Sequence, residues 1–161
     1  MRARCVAGDK DLCAAFEHVR NQTLSRARSA DTLRSEVSVM RQKMRAELDR
    51  SEPARFDLKQ GEGGLVDLEF LLQFVVLRDA ALHAELIAPR ETAGLLEAAH
   101  AAGSIGSGAA ATLRAAHAAL LAEGLACTLD RRPRLVPPSD AMTEARNAIR
   151  HVATQQGLAF S

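Results

Sequence analysis

Apolar residues recur at spacings of three and four in the first third of the chain, which predicts two amphipathic helices. The first spans 9–24, with Asp9 as its N-cap. Its apolar face is made of Leu12, Phe16, Val19 and Thr23. The second spans 31–50, and its single buried seam is made of Leu33, Val37, Met40, Met44 and Leu48. Arg41 and Arg45 are among the charged residues that lie off this seam.

A different pattern follows Pro53, which closes the second helix region. Residues 56–59 predict a short extended piece, and the three glycines within 60–64 predict a loop, because glycine is costly inside a helix. The next segment, 65–86, is apolar almost all round. A helix without a wide polar face is expected at the centre of a fold, surrounded by other helices.

Three further helices complete the predicted architecture. They span 91–102, 109–130 and a final segment that begins at Ser139 or Asp140 and ends at Gly157. The inward positions of the fifth helix are Leu113, Ala116, Leu120, Leu121 and Leu125, and those of the last are Met142, Ala145, Ile149 and Val152. The expected fold class is all-α: residues 1–161 form a single domain, a bundle of about six helices with a Gly-rich loop before a buried central helix.

Composition narrows the function classes. The hydrophobic content of 47% supports a packed core, and the net charge of +1 lacks the basic excess of a nucleic-acid binder. No window is long and apolar enough to cross a membrane. The odd count of three cysteines, without a CxxC pair, predicts reduced thiols rather than disulfides.

The segment 56–78, FDLKQGEGGLVDLEFLLQFVVLR, carries a family resemblance. It resembles the segment that follows the nucleotidyltransferase domain in bacterial glutamine-synthetase adenylyltransferases. The matching residues include Phe56, Asp57, Leu58, Lys59, Gly63, Gly64, Asp67, Glu69, Phe70, Gln73, Leu77 and Arg78. The segments 2–9, 39–45 and 103–105 also look like stretches of that family, and related PII uridylyltransferases share this type of helical domain.

This resemblance implies a cytoplasmic, multifunctional enzyme of nitrogen metabolism that uses ATP and Mg²⁺ to transfer AMP to a tyrosine hydroxyl of glutamine synthetase. The family's catalytic carboxylates lie in a separate domain, on a Gly-Ser pair followed by D-x-D, and no Gly-Ser pair here precedes such a motif. The chain is therefore expected to be an accessory domain, C-terminal to an absent nucleotidyltransferase domain and inactive alone. It is expected to bind no cofactor by itself. Its implied partners are that upstream domain, glutamine synthetase and the PII signalling protein, but no nucleic acid and no membrane.

Five residues are candidates for a nucleotide cleft or domain interface: Lys59, Gly63, Gly64, Asp67 and Glu69. None is predicted to be catalytic. A glycine-opened helix offers free N–H groups to an anion, and Lys59 lies close enough in sequence to meet a phosphate or a carboxylate of a neighbouring domain. The alternative is structural: Lys59 pairs with Glu69 or Asp67, while Asp67 neutralises the helix N-terminus.

A metal site on the same helix is not expected. Asp67 and Glu69 diverge by about 200° at about 3.6 residues per turn, so they cannot share one cation. Glu69 and Gln73, four residues apart, are expected to be buried and hydrogen-bonded. Gly64→Val is expected to destabilise the chain if Gly64 has a positive φ or close contacts.

A second function class rests on the last helix. Arg146 and His151 fit the R-N-x3-H motif of HEPN-like helical ribonucleases, in which an arginine and a histidine act on an RNA 2′-hydroxyl. With so many arginines and five histidines, such a spacing also arises by chance. A free-standing ribonuclease is therefore the alternative to an accessory domain.

Overall fold

A computed structural model describes residues 2–160 and confirms the all-α class. Within this range the elements are α1 Lys10–Leu24, α2 Ala30–Leu48, β1 Phe56–Asp57, α3 Leu65–Asp79, α4 Thr92–Ala101, α5 Ser107–Leu129, β2 Leu135–Val136 and α6 Asp140–Gln155. A 3-10 turn, Ala84–Ile87, lies between α3 and α4. None of the described helices is long and apolar enough to cross a membrane.

Helix α3 is the centre of the bundle, as its apolar sequence predicts. It packs against α2, α4, α5 and α6, and Leu68, Leu71, Phe74 and Val75 are completely buried. Helices α5 and α6 form the most extensive helix pair. The predicted inward stripe of α6 is confirmed, because all four of its members are buried.

The predicted end of α3 was wrong. The helix stops at Asp79 rather than at residue 86, and the backbone N–H groups of Leu82 and His83 both donate to the Asp79 carbonyl. The following 3-10 turn returns Leu86 and Ile87 to the core. Apolar periodicity does not distinguish this arrangement from a continuous helix, since both bury the same residues.

A two-residue antiparallel ladder joins distant parts of the chain. Phe56 pairs with Val136 and Asp57 with Leu135, and the Leu58 N–H donates to the Arg134 carbonyl at 3.0 Å. The extended piece at 56–59 was predicted, whereas β2 was not. The ladder fixes the loop before α3 to the segment between α5 and α6.

The solvent-facing sides of three helices differ from the predictions. In α1, Leu12, Phe16 and Val19 are 72%, 40% and 60% exposed, because only the end of that helix reaches the core. In α5, Leu113, Ala116 and Leu120 are buried as expected, but Leu121 and Leu125 face outward. In α2, Met40 and Leu48 are exposed, and Arg41 takes a place in the buried face.

The cysteine prediction was wrong for two of the three residues. Cys5 and Cys13 form a disulfide, with their Cα atoms 5.5 Å apart, while Cys127 is free and buried. The spacing of Cys5 and Cys13 does not match a known cysteine motif such as CxxC. Its closeness comes from the turn before α1, where the Asp9 carboxylate accepts from the N–H groups of Asp11 and Leu12 and folds the N-terminal segment against the first helical turn.

Candidate functional site

The candidate site is organised around Asp67, in the first turn of α3. Its carboxylate is 1% exposed and accepts from Arg41 Nε at 2.6 Å, from Arg45 at 2.6 Å and from the Gly63 N–H at 2.7 Å. Arg41 is completely buried, and its second guanidinium nitrogen donates to the Gln60 carbonyl at 2.6 Å. A buried carboxylate therefore joins α2 to the glycine loop through charge-assisted hydrogen bonds.

Sequence reasoning missed both arginines. It placed Arg41 and Arg45 off the buried seam of α2, because an unpaired guanidinium is rarely buried. The two residues are four positions apart and so share a helix face that points at Asp67. Arg45 also donates to the Phe160 carbonyl, and the Ala159 N–H donates to Ser38, so the C-terminal tail folds onto α2. The available signal was a pair of arginines on one face of α2, together with acidic residues near the start of an otherwise apolar helix.

The glycine loop is shaped by close backbone approach. Gly63 has φ +77°, and a Cβ added there would lie 2.6 Å from the Arg146 carbonyl oxygen. Gly64 has an extended φ of −82°, so of the two conditions named for this residue a positive φ is not met. The other condition, close contacts, is met, since a Cβ at Gly64 would lie 2.8 Å from the Gly61 carbonyl oxygen.

The N–H groups at the start of α3 are not free for an anion. Leu65 donates to the Leu58 carbonyl and Val66 to the Lys59 carbonyl, each at 3.0 Å, while Gly63 donates to Asp67. The predicted anion site on this helix end is therefore wrong: neighbouring backbone and a buried carboxylate already satisfy the donors. The part of the structural alternative that assigns Asp67 to the helix N-terminus agrees with this geometry.

The side chain of Lys59 is not part of this network. Its side chain is exposed and makes no hydrogen bond or ion pair within residues 2–160, so the predicted pairing with Asp67 or Glu69 does not occur. Asp57 accepts from the N–H groups of Lys59 and Gln60 at 2.9 Å each, which holds the Lys59 backbone in a fixed turn. The lysine is thus an unpaired cation on a rigid support.

Glu69 lies on a different side of α3 from Asp67, as the helical geometry predicts. It forms an ion pair with Arg2 at 3.1 Å and is partly exposed, so its predicted burial was wrong. Arg2 also donates to Thr92 at 3.0 Å. Burial, followed by the nearby charge of Arg2, lowers the pKa of His117 below its ordinary value of 6.5, and Glu69 opposes this shift.

The last helix uses Arg146 as a structural residue. Its Nε donates to the Glu62 carbonyl at 2.9 Å, and its guanidinium lies 4.2 Å from the centre of the Phe56 ring. His151 is exposed, with one ring nitrogen 2.9 Å from the side-chain nitrogen of Gln155. The described contacts therefore engage Arg146 with the glycine loop and His151 with its own helix, and none of them joins the two ribonuclease candidates.

These features define a class: an all-α domain in which a buried aspartate–arginine network fixes a buried glycine loop, with an exposed, unpaired lysine beside it. In residues 2–160 no group of three or more His, Cys, Asp or Glu is placed to hold a metal ion.

Comparison with known sequences identifies the family. Residues 32–123 match the sequence model of the family described as GlnD PII-uridylyltransferase, and the chain belongs to this family. The whole chain is 53% identical to a segment of the bifunctional glutamine synthetase adenylyltransferase/adenylyl-removing enzyme of Stenotrophomonas maltophilia (strain K279a). Relatives of the same description from Xanthomonas axonopodis pv. citri (strain 306) and Methylococcus capsulatus (strain Bath) are 51% identical over 99% of the chain and 43% identical over 73%.

The chain spans only a small part of these relatives. It covers 17% of the Stenotrophomonas and Xanthomonas proteins and the match covers 12% of the Methylococcus protein, so the relatives contain other domains.

Proposed function

We propose that this chain is a non-catalytic accessory domain of an enzyme that transfers AMP from ATP, with Mg²⁺, to a tyrosine hydroxyl of glutamine synthetase. The chain's role is to wall the nucleotide cleft of a nucleotidyltransferase domain in the same polypeptide. The observation that carries this proposal is the full-length match to a 17% segment of the adenylyltransferase relatives. The enzyme works in the cytoplasm, where the PII protein is a further partner.

The geometry around Asp67 supports a wall rather than a reaction centre. The carboxylate is enclosed by Arg41, Arg45 and the Gly63 N–H, so it cannot act as a base or ligate a metal without breaking buried hydrogen bonds. Next to this largely buried loop, the side chain of Lys59 remains exposed. An exposed, unpaired lysine beside a rigid loop suits the electrostatic stabilisation of phosphoryl oxygens.

The exposed apolar face of α1 supports the same placement. Leu12, Phe16 and Val19 form an uncovered stripe, and Val6, in the segment before α1, is 81% exposed. Clustered exposed apolar residues commonly mark protein–protein contacts. Another domain of the same polypeptide is the proposed occupant, because the relatives are several times longer than this chain.

The test replaces Lys59 with Ala in the Stenotrophomonas enzyme whose matching segment has been exchanged for this chain. AMP transfer to glutamine synthetase should slow by about tenfold or more, as expected when one charged contact to a transition state is lost. The melting temperature should not change, because Lys59 is exposed and unpaired.

The matched control is Lys43→Ala, which removes another exposed lysine without a partner in the described structure. It should leave both the rate and the melting temperature unchanged. Unaltered transfer by the Lys59→Ala enzyme, with normal folding, would remove the cleft-wall assignment.

A further inference from the structure

We propose that Lys59, Arg50 and Arg134 form a binding site for a polyphosphate anion. The three side chains line one open cleft of about 400 Å³ between the end of α2, the β1 ladder and the segment before β2. All three are exposed and positively charged. The identity of the ligand as the phosphates of a nucleotide rests on the proposed function, whereas the site itself rests on the geometry of these residues.

The three cations come from separate segments, and each segment is attached to the backbone of β1 or the turn after it. Next to Lys59, the Leu58 N–H donates to the carbonyl of Arg134 itself at 3.0 Å. Beside Arg50, the Ser51 hydroxyl accepts from the Asp57 N–H at 3.1 Å. The backbone atoms that carry the cations are therefore fixed before any ligand arrives, which lowers the entropy lost on binding.

The charge balance of the cleft favours an anion. The only acidic residue among those that line it is Asp57, which is buried, and one of its carboxylate oxygens accepts from two backbone N–H groups. The side chains of Lys59 and Arg50 make no hydrogen bond or ion pair in the described chain, and the Arg134 side chain donates to the neutral hydroxyl of Thr128 at 3.3 Å and pairs with no described carboxylate. Arg132, two positions before Arg134, is already neutralised by Glu123 and Asp130.

The number and type of donors indicate phosphates rather than a single carboxylate. Guanidinium groups bind two phosphate oxygens at once, and a lysine adds a point charge. Three cations around one cleft exceed what one carboxylate can neutralise, whereas a di- or triphosphate carries several charged oxygens. The floor of the cleft includes Gln60, whose carbonyl is held by the buried Arg41, so the polar support continues into the core.

The site is tested by titrating the isotopically labelled chain with sodium pyrophosphate at low ionic strength and following backbone amide signals by NMR. Saturable shifts are expected at 57–61 and 134–136. Lys59→Gln and Arg134→Gln should each weaken binding by about fivefold to tenfold, as for the loss of one charge-assisted contact. Arg114→Gln is the matched control, since it removes an exposed, unpaired arginine on α5 far from the cleft residues in sequence.

Two further titrations, with tripolyphosphate and with ATP, show whether the cleft recognises phosphates alone or a nucleotide. Tripolyphosphate and ATP should bind alike if the cleft recognises phosphates alone, and ATP should bind more tightly if the nucleoside also contacts the chain. Shifts that do not saturate, or an Arg114→Gln variant that loses as much affinity as Lys59→Gln, would overturn the site. If pyrophosphate fails to bind but Lys59→Ala still slows AMP transfer in the longer enzyme, only the site is lost and the proposed function stands.

Discussion

The burial of Arg41 is the residue-level feature that most shapes this domain. A fully buried guanidinium is tolerated here because Asp67 and the Gln60 carbonyl satisfy it at 2.6 Å each. The pair is a weak source of net stability relative to an apolar replacement, but it becomes a large liability when one partner is removed. It therefore acts mainly by fixing the position of the glycine loop against α2.

Asp67→Asn should lower the free energy of unfolding by about 3–5 kcal/mol, because it leaves the Arg41 charge buried without its counter-ion. Chemical denaturation of the purified chain measures this. The control is Asp31→Asn, which removes the carboxylate of an ion pair with Arg34 whose aspartate is 92% exposed; it should cost about 1 kcal/mol or less. Similar losses in the two variants would contradict the importance of the buried network.

Two glycines allow the cost of a left-handed backbone to be measured separately from the cost of a steric clash. Gly63 and Gly103 have nearly the same φ, +77° and +72°, but an added Cβ collides with Arg146 at Gly63 and meets nothing within 4 Å at Gly103. Gly103→Ala should cost about 1–2 kcal/mol from the left-handed backbone alone. Gly63→Ala should cost about 1–3 kcal/mol more, owing to the clash. Equal melting temperatures for the two variants would show that α6 can move away from the loop.

At the scale of elements, α1 and α6 differ in how many of their apolar residues are buried in the core. The stripe of α6 is buried, and Ile149 is completely enclosed. In α1 only Leu24 and Arg20 are buried, and Arg20 holds the helix by donating to the Ile87 carbonyl at 2.9 Å. The two helices have similar sequence patterns but unequal contributions to the core.

Phe16→Gln should therefore change the free energy of unfolding of this chain by about 0.5 kcal/mol or less, as for a surface substitution. Ile149→Ala should cost about 2–5 kcal/mol, as expected for deletion of a buried aliphatic side chain. Thermal and chemical denaturation of both variants, with matched concentrations, give the comparison. A large loss from Phe16→Gln would mean that the α1 face is covered within this chain.

Sequence patterns predicted the elements more reliably than their environments. The helix positions, the N-cap Asp9, the glycine loop and the central place of α3 were predicted from the sequence, and Ser139 was one of two candidates for the N-cap of α6. The exposure of Leu121 and Leu125 did not, because a helical stripe shows which residues share a face but not whether another element covers it. The same limit applies to α1.

The sequence predicted which segment of the chain contains the candidate site, but it did not predict which residues contact each other there. The resemblance at 56–78 singled out Lys59, Gly63, Gly64, Asp67 and Glu69, and the structure shows that Asp67 and Gly63 contact each other while Lys59 and Glu69 face elsewhere. The partners of Asp67 lie on α2, more than twenty positions away. β2 was missed for a similar reason: its two residues become a strand only by pairing with β1.

For the whole molecule, the partly buried His117 predicts a pH dependence of stability. Burial and the charge of Arg2 lower the pKa of His117 in the folded chain below its ordinary value of 6.5. The unfolded chain therefore takes up a proton first as the pH falls, and the free energy of unfolding decreases from about pH 6.5 down to the lower folded pKa. Above that range the neutral histidine has no such effect.

Urea denaturation between pH 7.5 and 5.5 should show this decrease, and His117→Gln should reduce it. This window lies above the ordinary values of the carboxyl groups of Asp79 and Glu85, whose pKa values are lowered further in the folded chain, so they do not contribute. His18→Gln, at an exposed histidine on α1, is the control and should keep the decrease. A His117→Gln variant with an unchanged pH profile would rule out this residue as the source.

The central claim is that this domain supports chemistry performed by another domain of the same polypeptide. The most direct measurement incubates the purified 161-residue chain with labelled ATP, Mg²⁺ and glutamine synthetase, in parallel with the Stenotrophomonas enzyme that carries this chain in place of its matching segment. We predict label on glutamine synthetase only with the longer enzyme. Transfer of label by the chain alone would contradict the account.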